Sequence, residues 1–511
     1  MTSPLRNVAL AHPFLVLAGA ASILWLLRRG LRWNGPLPLP EHSRALLVPP
    51  LVLLALSVAY IVVPTYLDHL EPAIVSISTT TTGPRDVYPP PNDGRQVALP
   101  YGPAPFLLFG IPSRVWPSSI AATKIPSALC LLLSFILTVV AARRLGIQEE
   151  RRVVAALATL LLAFGPTSFW VRADPIILLA TSASLAAAVS RGRIAWMVLV
   201  FAIALGVGSK ITASVYFLPA LALLAKRDGV PSATLAFISG AAVSISPFVL
   251  STQFDGASYW QWLRLTASHG VSSVSVVQAI EWMAVLFTSV AAVAGWQVSN
   301  LTRGIHSSAL ALGTAVAVCV VAPISAKVGA GPTHFLPLCP AIALLIGRWR
   351  GSHATAVHAV AGLLLALGLS QVVYVSRQIQ SARFGAADEL LTLLNTHPHP
   401  VAVGYTEDYK ATFIRPVLTM NGQPYPFDPA ALMDHQMSGI ELGEAAVDAV
   451  RRCAVATWML PTGGTPFALP NVYVPTQRVF PQDFREAFLE SYRRTEQHSF
   501  FDVWRCRKEA H

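Results

Sequence analysis

Tyr66-Leu67-Asp68-His69-Leu70-Glu71-Pro72 sets three ionisable side chains directly after a hydrophobic run that ends at Val63-Pro64. Charge this close to hydrocarbon is costly and is seldom a packing device. Two carboxylates and a histidine at the mouth of an apolar run therefore mark either a site at a membrane surface or plain loop charges just outside the headgroups. On the first reading, the rest of the chain is a membrane scaffold that presents this stretch to a lipid.

Composition supports the scaffold. Of 511 residues, 54% are hydrophobic and only 12% charged, and the mean hydropathy is +0.54. A soluble protein of this length fills its core with far less apolar surface, so the excess faces lipid. The net charge of +11 invites a nucleic-acid partner, but Lys and Arg sit in short clusters between apolar runs. That pattern fixes membrane orientation and speaks against binding a polyanion. Five scattered cysteines make no metal-ligand spacing.

The first apolar run, Ala9 to Leu27, precedes Arg28, Arg29, Arg32 and Arg44, and is too long for a removable signal peptide. A second run, Ala45 to Pro64, crosses back and delivers Asp68. Residues 65–119 form a Pro- and Gly-rich polar loop whose length and aromatic content predict an ordered cap. Further apolar runs follow, giving about twelve spans at roughly twenty residues each. Arginine clusters fall on alternate connections: 28–44, 143–152, 191–193, 226–227, 303 and 348–350. The positive-inside rule makes these cytoplasmic. Asp68, Asp174, Lys210, His269, His334 and the C-terminal tail then share the opposite, external face.

From about Arg377 the chain turns polar. Ala387–Leu394 reads as an amphipathic helix, Pro400–Tyr405 as a short buried strand, and Leu442–Arg452 as a helix before the apolar run Cys453–Leu460. Phe484–Arg493 and Phe501–Cys506 read as a closing helix and strand. The expected architecture is an α-helical polytopic membrane protein with a small C-terminal extramembrane α/β domain. Residues 1–44 give an extra span and cytoplasmic loop, 45–376 the membrane module and 377–511 the external domain. Cys453 and Cys506, in a compartment that permits disulfides, are expected to pair.

An external site of carboxylates, a histidine and cations suits group transfer from a phosphate-linked lipid. A carboxylate can take the proton of an acceptor hydroxyl or amine as the new bond forms, a role for Asp68 or Glu71. Cationic groups can balance the departing phosphate, a role for Lys210, Arg172, Lys327 and His334. His69, Tyr88, Tyr101, Asp174 and His269 are candidate substrate-binding residues. Carboxylates can also hold a divalent metal, but no complete ligand set is visible and no cofactor is identified.

The order of these signals resembles the GT-C superfamily of polyprenyl-phosphate-sugar-dependent glycosyltransferases. The nearest branch is the bacterial one of aminoarabinose, mannosyl and rhizobial lipopolysaccharide transferases. Asp68-His69-Leu70-Glu71-Pro72 resembles that family's acidic motif in the first external loop. Gly83 to Tyr88 with Tyr101-Gly102-Pro103 is similar to its continuation, and Lys124-Ile125-Pro126 stands where the family usually has an arginine. Arg172-Ala173-Asp174-Pro175, Gly208-Ser209-Lys210 and His334-Phe335-Leu336-Pro337-Leu338-Cys339-Pro340 resemble further turns. The departures are the extra first span, Ile211 in place of a glycine, and an Asp–Glu pair spread over Asp68 and Glu71. The resemblance implies an inverting hexosyl- or pentosyltransferase of the bacterial inner membrane, with a periplasmic C-terminal domain. Its donor would be a polyprenyl-phosphate-sugar and its acceptor a lipid, glycan or protein.

Each motif also has a structural reading. Asp174 before Pro175 can cap a helix, Lys210 can snorkel to headgroups, and His334 can hydrogen-bond within the bundle. Trp260 and Trp262 fit an interfacial aromatic belt, and Tyr101 can stiffen a turn. The competing function class is a transporter, flippase or polymerase of lipid-linked glycans. That class favours charge within spans or repeated halves, whereas here the charges sit at span ends.

Overall fold

The computed structural model describes residues 44–80, 87–90, 93–294, 305–348, 354–474 and 476–507. The expected first span with Arg28, Arg29 and Arg32, the stretch Gly83 to Asp86, Arg303 and Arg350 lie outside the described residues. The chain divides into two compact units. One takes in Ser127–Ile245 and Val271–Gln378 with the chain up to Tyr60; the other holds Ile61–Pro126, Ser246–Gly270 and Ile379–His511. The loop expected over 65–119 and the tail expected from 377 thus fall in the same unit.

The first unit is helical. Among the described residues of the whole chain, Ile120–Arg144, Val230–Leu250 and Ser308–Ser325 are long and apolar enough to cross a membrane. Val48–Val62, Ala173–Ala188, Arg193–Ser209, Ser273–Phe287 and Pro332–Gly347 are shorter apolar helical stretches. Their exposed faces carry no polar coat. On Val48–Val62, Leu51, Leu54, Val58 and Val62 are outward-facing, while Leu53, Leu56 and Tyr60 are buried. An apolar stripe left uncovered at helical spacing is the pattern of a lipid-facing surface. The protein is an integral membrane protein on these grounds.

Among the described residues, 3-10 turns interrupt the helices of this unit at Gly165–Ser168, Ile211–Phe217 and Pro332–Leu338. The last two lead directly into Leu218–Asp228 and Cys339–Gly347, each with proline among its first residues. A proline there has no N–H to leave unsatisfied, so it suits a helix that starts inside protein. Gly206 makes the first of these two turns possible, since a Cβ there would lie 2.4 Å from Phe217 Cζ. Ala173–Ala188, rich in Ala and Ser, is almost wholly buried, as expected of small residues that permit close helix approach.

The second unit is α/β. Strands β1 (Val401–Val403), β2 (Thr457–Pro461), β3 (Tyr492–Gln497) and β4 (Phe501–Cys506) form one sheet in the order β1-β2-β4-β3. β1 and β2 are parallel, and the other pairings antiparallel. The sheet buries an aromatic core that includes Trp458, Phe467, Phe480, Phe484 and Phe488. The expected amphipathic helix appears as Ala386–Thr396, and the helix before β2 as Glu444–Arg451. The closing helix stops at Ser491 rather than Arg493, because Tyr492 turns extended and begins β3. The polar loop expected as a cap contains two helices, Leu70–Thr80 and Pro103–Val115. Cys453 and Cys506 form a disulfide, with Cα atoms 5.9 Å apart.

Candidate functional site

The opening motif is a helix start. The Asp68 Oδ1 accepts from Leu70 N at 3.0 Å, and Glu71 Oε1 accepts from Asp68 N and Leu67 N, both at 2.8 Å. This reciprocal arrangement is a capping box, with Asp68 ahead of Leu70–Thr80 and Glu71 three residues on. The cap separates the two carboxylates. Glu71 is fully buried, whereas the Asp68 side chain keeps 16% of its surface and its Oδ2 lies 3.5 Å from His69 Nδ1.

Three further groups hold this turn from within the same unit. Lys124, also fully buried, donates from Nζ to the carbonyls of Val63 and Thr65, each at 2.7 Å. Tyr66 shares a hydrogen bond with Thr123, and burial pushes its phenol well above the ordinary range. Arg415, more than three hundred residues on in sequence, donates from Nη2 to the His69 carbonyl. Arg415 is a site residue that only the folded chain reveals. Its signal, a lone arginine between Ile414 and Pro416, looks like any surface charge.

Tyr88, Tyr101 and His269 belong to the same unit but do other jobs in it. Tyr88 is fully buried; its hydroxyl donates to the Tyr101 carbonyl at 2.6 Å, and its ring packs among Phe106, Phe248 and Tyr259. Tyr101 is buried too. The Nε2 of His269 lies 3.1 Å from the Asp434 carbonyl. Trp262 does not join an aromatic belt: it is fully buried, donates to the Pro89 carbonyl and stacks on His435 at 4.3 Å. Only Trp260 of that pair is exposed.

The cationic residues gather in the first unit, around the two 3-10 turns. Lys210, at the end of Arg193–Ser209, places Nζ 3.3 Å from His334 Nε2. The hydroxyl of Tyr216 lies 3.3 Å from His334 Nδ1. An ammonium can only donate, so Nε2 accepts from Lys210, and Nδ1 carries the imidazole proton toward Tyr216. Arg172 Nε is 3.3 Å from Asp174 Oδ2, and Asp174 lies in the first turn of Ala173–Ala188. The charges of Arg172 and Lys327 both bear on Lys210 and His334. The cluster can take up a dianion. Tyr216 escaped the sequence reading because it lies within an apolar stretch.

One group of metal-ligand type occurs among the described residues, at His397, Glu496 and His498. Its donor set does not fit a metal. Arg505 Nη2 lies 2.6 Å from His397 Nδ1, so that nitrogen accepts and Nε2 carries the proton on the side facing Glu496. A metal-bound histidine needs the reverse.

Comparison with known proteins gives no family model and no curated protein that matches the sequence. Solved structures do match. ArnT from Cupriavidus metallidurans bound to undecaprenyl phosphate aligns with a TM-score of 0.51 at 12% identity, over 90% of this chain and 97% of that one. The same protein in its apo state gives 0.47 at 11%, over 89% and 97%. The apo oligosaccharyltransferase of Archaeoglobus fulgidus gives 0.43 at 12%, over 81% and 69%. The chain has a GT-C fold.

Proposed function

We propose that this chain is a membrane glycosyltransferase that moves one sugar from a polyprenyl-phosphate carrier to a lipid, glycan or protein on the external face of a bacterial inner membrane. The observation that carries the reading is the cluster of Lys210, His334, Arg172 and Lys327, in a fold shared with a protein crystallised with undecaprenyl phosphate. About twelve spans, set by the apolar runs, place the C-terminal region outside.

The reaction is an inverting displacement. The acceptor hydroxyl or amine attacks the anomeric carbon, and the bond from that carbon to the phosphate oxygen breaks, its electron pair leaving with the phosphate. Asp68, through the oxygen not used in the cap, takes the acceptor proton. Glu71 holds the Asp68 turn from its buried position. Lys210 and Arg172, with Lys327 and His334, balance the charge gathering on the phosphate. His69 and Asp174 orient Asp68 and Arg172 respectively.

Two measurements test this. Lipid extracts of a strain lacking the protein should show one glycoconjugate without its sugar and the polyprenyl-phosphate precursor accumulating. In purified enzyme Asp68→Asn, which caps a helix as well as aspartate does, should lower transfer by about a hundredfold or more, the scale of a lost general base. Unchanged lipids together with a fully active Asp68→Asn enzyme would leave the motif as a helix cap.

A further inference from the structure

Arg415 is an unusual residue to find buried. Its side chain is 1% exposed, and that of its partner Asp428 0%. The guanidinium donates from Nε to the Tyr425 hydroxyl at 2.9 Å, from Nη1 to the Thr412 carbonyl at 3.3 Å, and from Nη2 to Asp428 Oδ2 at 3.1 Å. Tyr425 donates to the same carboxylate oxygen. A buried ion pair of this kind repays its desolvation only with good geometry, and a well-packed apolar pair is often as stable. Stability alone therefore gives no reason for it.

What the pair does is reach the opening motif. The same Nη2 donates to the His69 carbonyl at 3.3 Å. The Arg415 guanidinium lies 6.0 Å from the Tyr409 ring centroid, and that ring lies 6.1 Å from the His69 ring. His69 in turn faces the Asp68 carboxylate. Asp428 is fixed from the other side: its N–H donates to the Gln96 carbonyl at 2.7 Å, and its Oδ1 caps Pro429–Met437 through Ala431 N. The segment 409–428 thus holds His69 by its backbone and packs against its ring, while the capping box holds Asp68.

We propose that Arg415 is a positioning residue for the transfer reaction, setting His69 against the Asp68 carboxylate, so that the C-terminal region is part of the catalytic apparatus. The inference rests on the assignment of Asp68 as base. A loosened His69 leaves Asp68 without its fixed neighbour and alters both the aim and the proton affinity of the base.

The test uses the full-length enzyme with polyprenyl-phosphate-sugar donor, comparing Arg415→Lys, the double variant Arg415→Met with Asp428→Leu, and Asp68→Asn. The double variant removes both charges and so avoids stranding one in the interior. In it, kcat should fall about tenfold, within the range of a misplaced catalytic group. The donor KM should stay unchanged, and the acid limb of the kcat–pH profile should shift, because that limb reports the base in the bound complex. Arg415→Lys, which keeps a charge but loses the forked geometry, should fall between the double variant and the parent. Full kcat with an unmoved profile in the double variant, beside an inactive Asp68→Asn, overturns the positioning role alone. A lower kcat with an unmoved profile overturns it too, since lost folding lowers the amount of active enzyme and not its titration. A fully active Asp68→Asn removes the base assignment and this inference with it.

Discussion

His435 shows how a single side chain can carry a pH dependence without touching the chemistry. It sits in Pro429–Met437, 1% exposed, stacked on Trp262, with no hydrogen-bond partner on either ring nitrogen among the described residues. Burial pushes its pKa from 6.5 down to about 4. The unfolded chain therefore takes up a proton near pH 6.5 that the folded one refuses until about pH 4. The stability that depends on a neutral His435 is whole above pH 6.5 and is lost as the pH falls toward 4, by about 3 kcal/mol at most. Denaturant melts of the parent and of His435→Phe, at pH 7.5 and 4.5, should show the parent losing most of that difference and the variant little of it. An equal loss in both would assign the acid sensitivity to other groups. The opening motif makes the same point differently. Two carboxylates three residues apart look equivalent in sequence, yet Glu71 is fully buried against two backbone N–H groups while the Asp68 side chain stays partly exposed beside His69.

Among the elements, β4 was legible in the sequence to the residue, since Phe501–Cys506 is a short run rich in aromatic and β-branched residues. β3 was not, since Tyr492-Arg493-Arg494-Thr495-Glu496-Gln497 carries helix-compatible charges. Its strand state comes from antiparallel pairing with β4, an interaction that periodicity in one segment cannot register. The disulfide ties the chain just past Glu444–Arg451 to the end of β4. It closes a separation of 53 residues, so the chain-entropy account gives about 4 kcal/mol, with measured cases more often about 2–4. Reduction, or Cys453→Ser with Cys506→Ser, should therefore lower the denaturant midpoint of the C-terminal region in the full-length protein, read from the fluorescence of Trp458 and Trp504. An unchanged midpoint would mean that the sheet does not depend on the bridge.

For the whole molecule, orientation is the feature with the widest reach. If the arginine clusters at 143–152 and 191–193 lie in the cytoplasm, the region after Arg377 is external, as a disulfide within it also favours. A periplasm-dependent phosphatase fused after His511 should be active, and a cytosol-dependent fluorescent reporter at the same place dark. The reverse pair of results would turn the entire topology over and take Asp68 off the external face.

What the sequence determined by itself is the membrane class, the positions of most apolar helices and the expectation of a small mixed domain after residue 377. All of these rest on local hydropathy and spacing, which neighbouring residues express without help from distant ones. It also raised the expectation that Cys453 pairs with Cys506, a bridge the structure contains, and it marked Asp68, Lys210 and His334 as candidates because they stand at the ends of apolar runs. The tertiary structure alone decided that Glu71 closes a capping box, that Tyr88 and Trp262 are interior, and that Tyr216 completes the Lys210–His334 group. It alone brought Arg415 to His69. These are long-range packing outcomes: burial and hydrogen-bond partners are properties of where the chain returns, and a single stretch of residues carries no record of what folds against it.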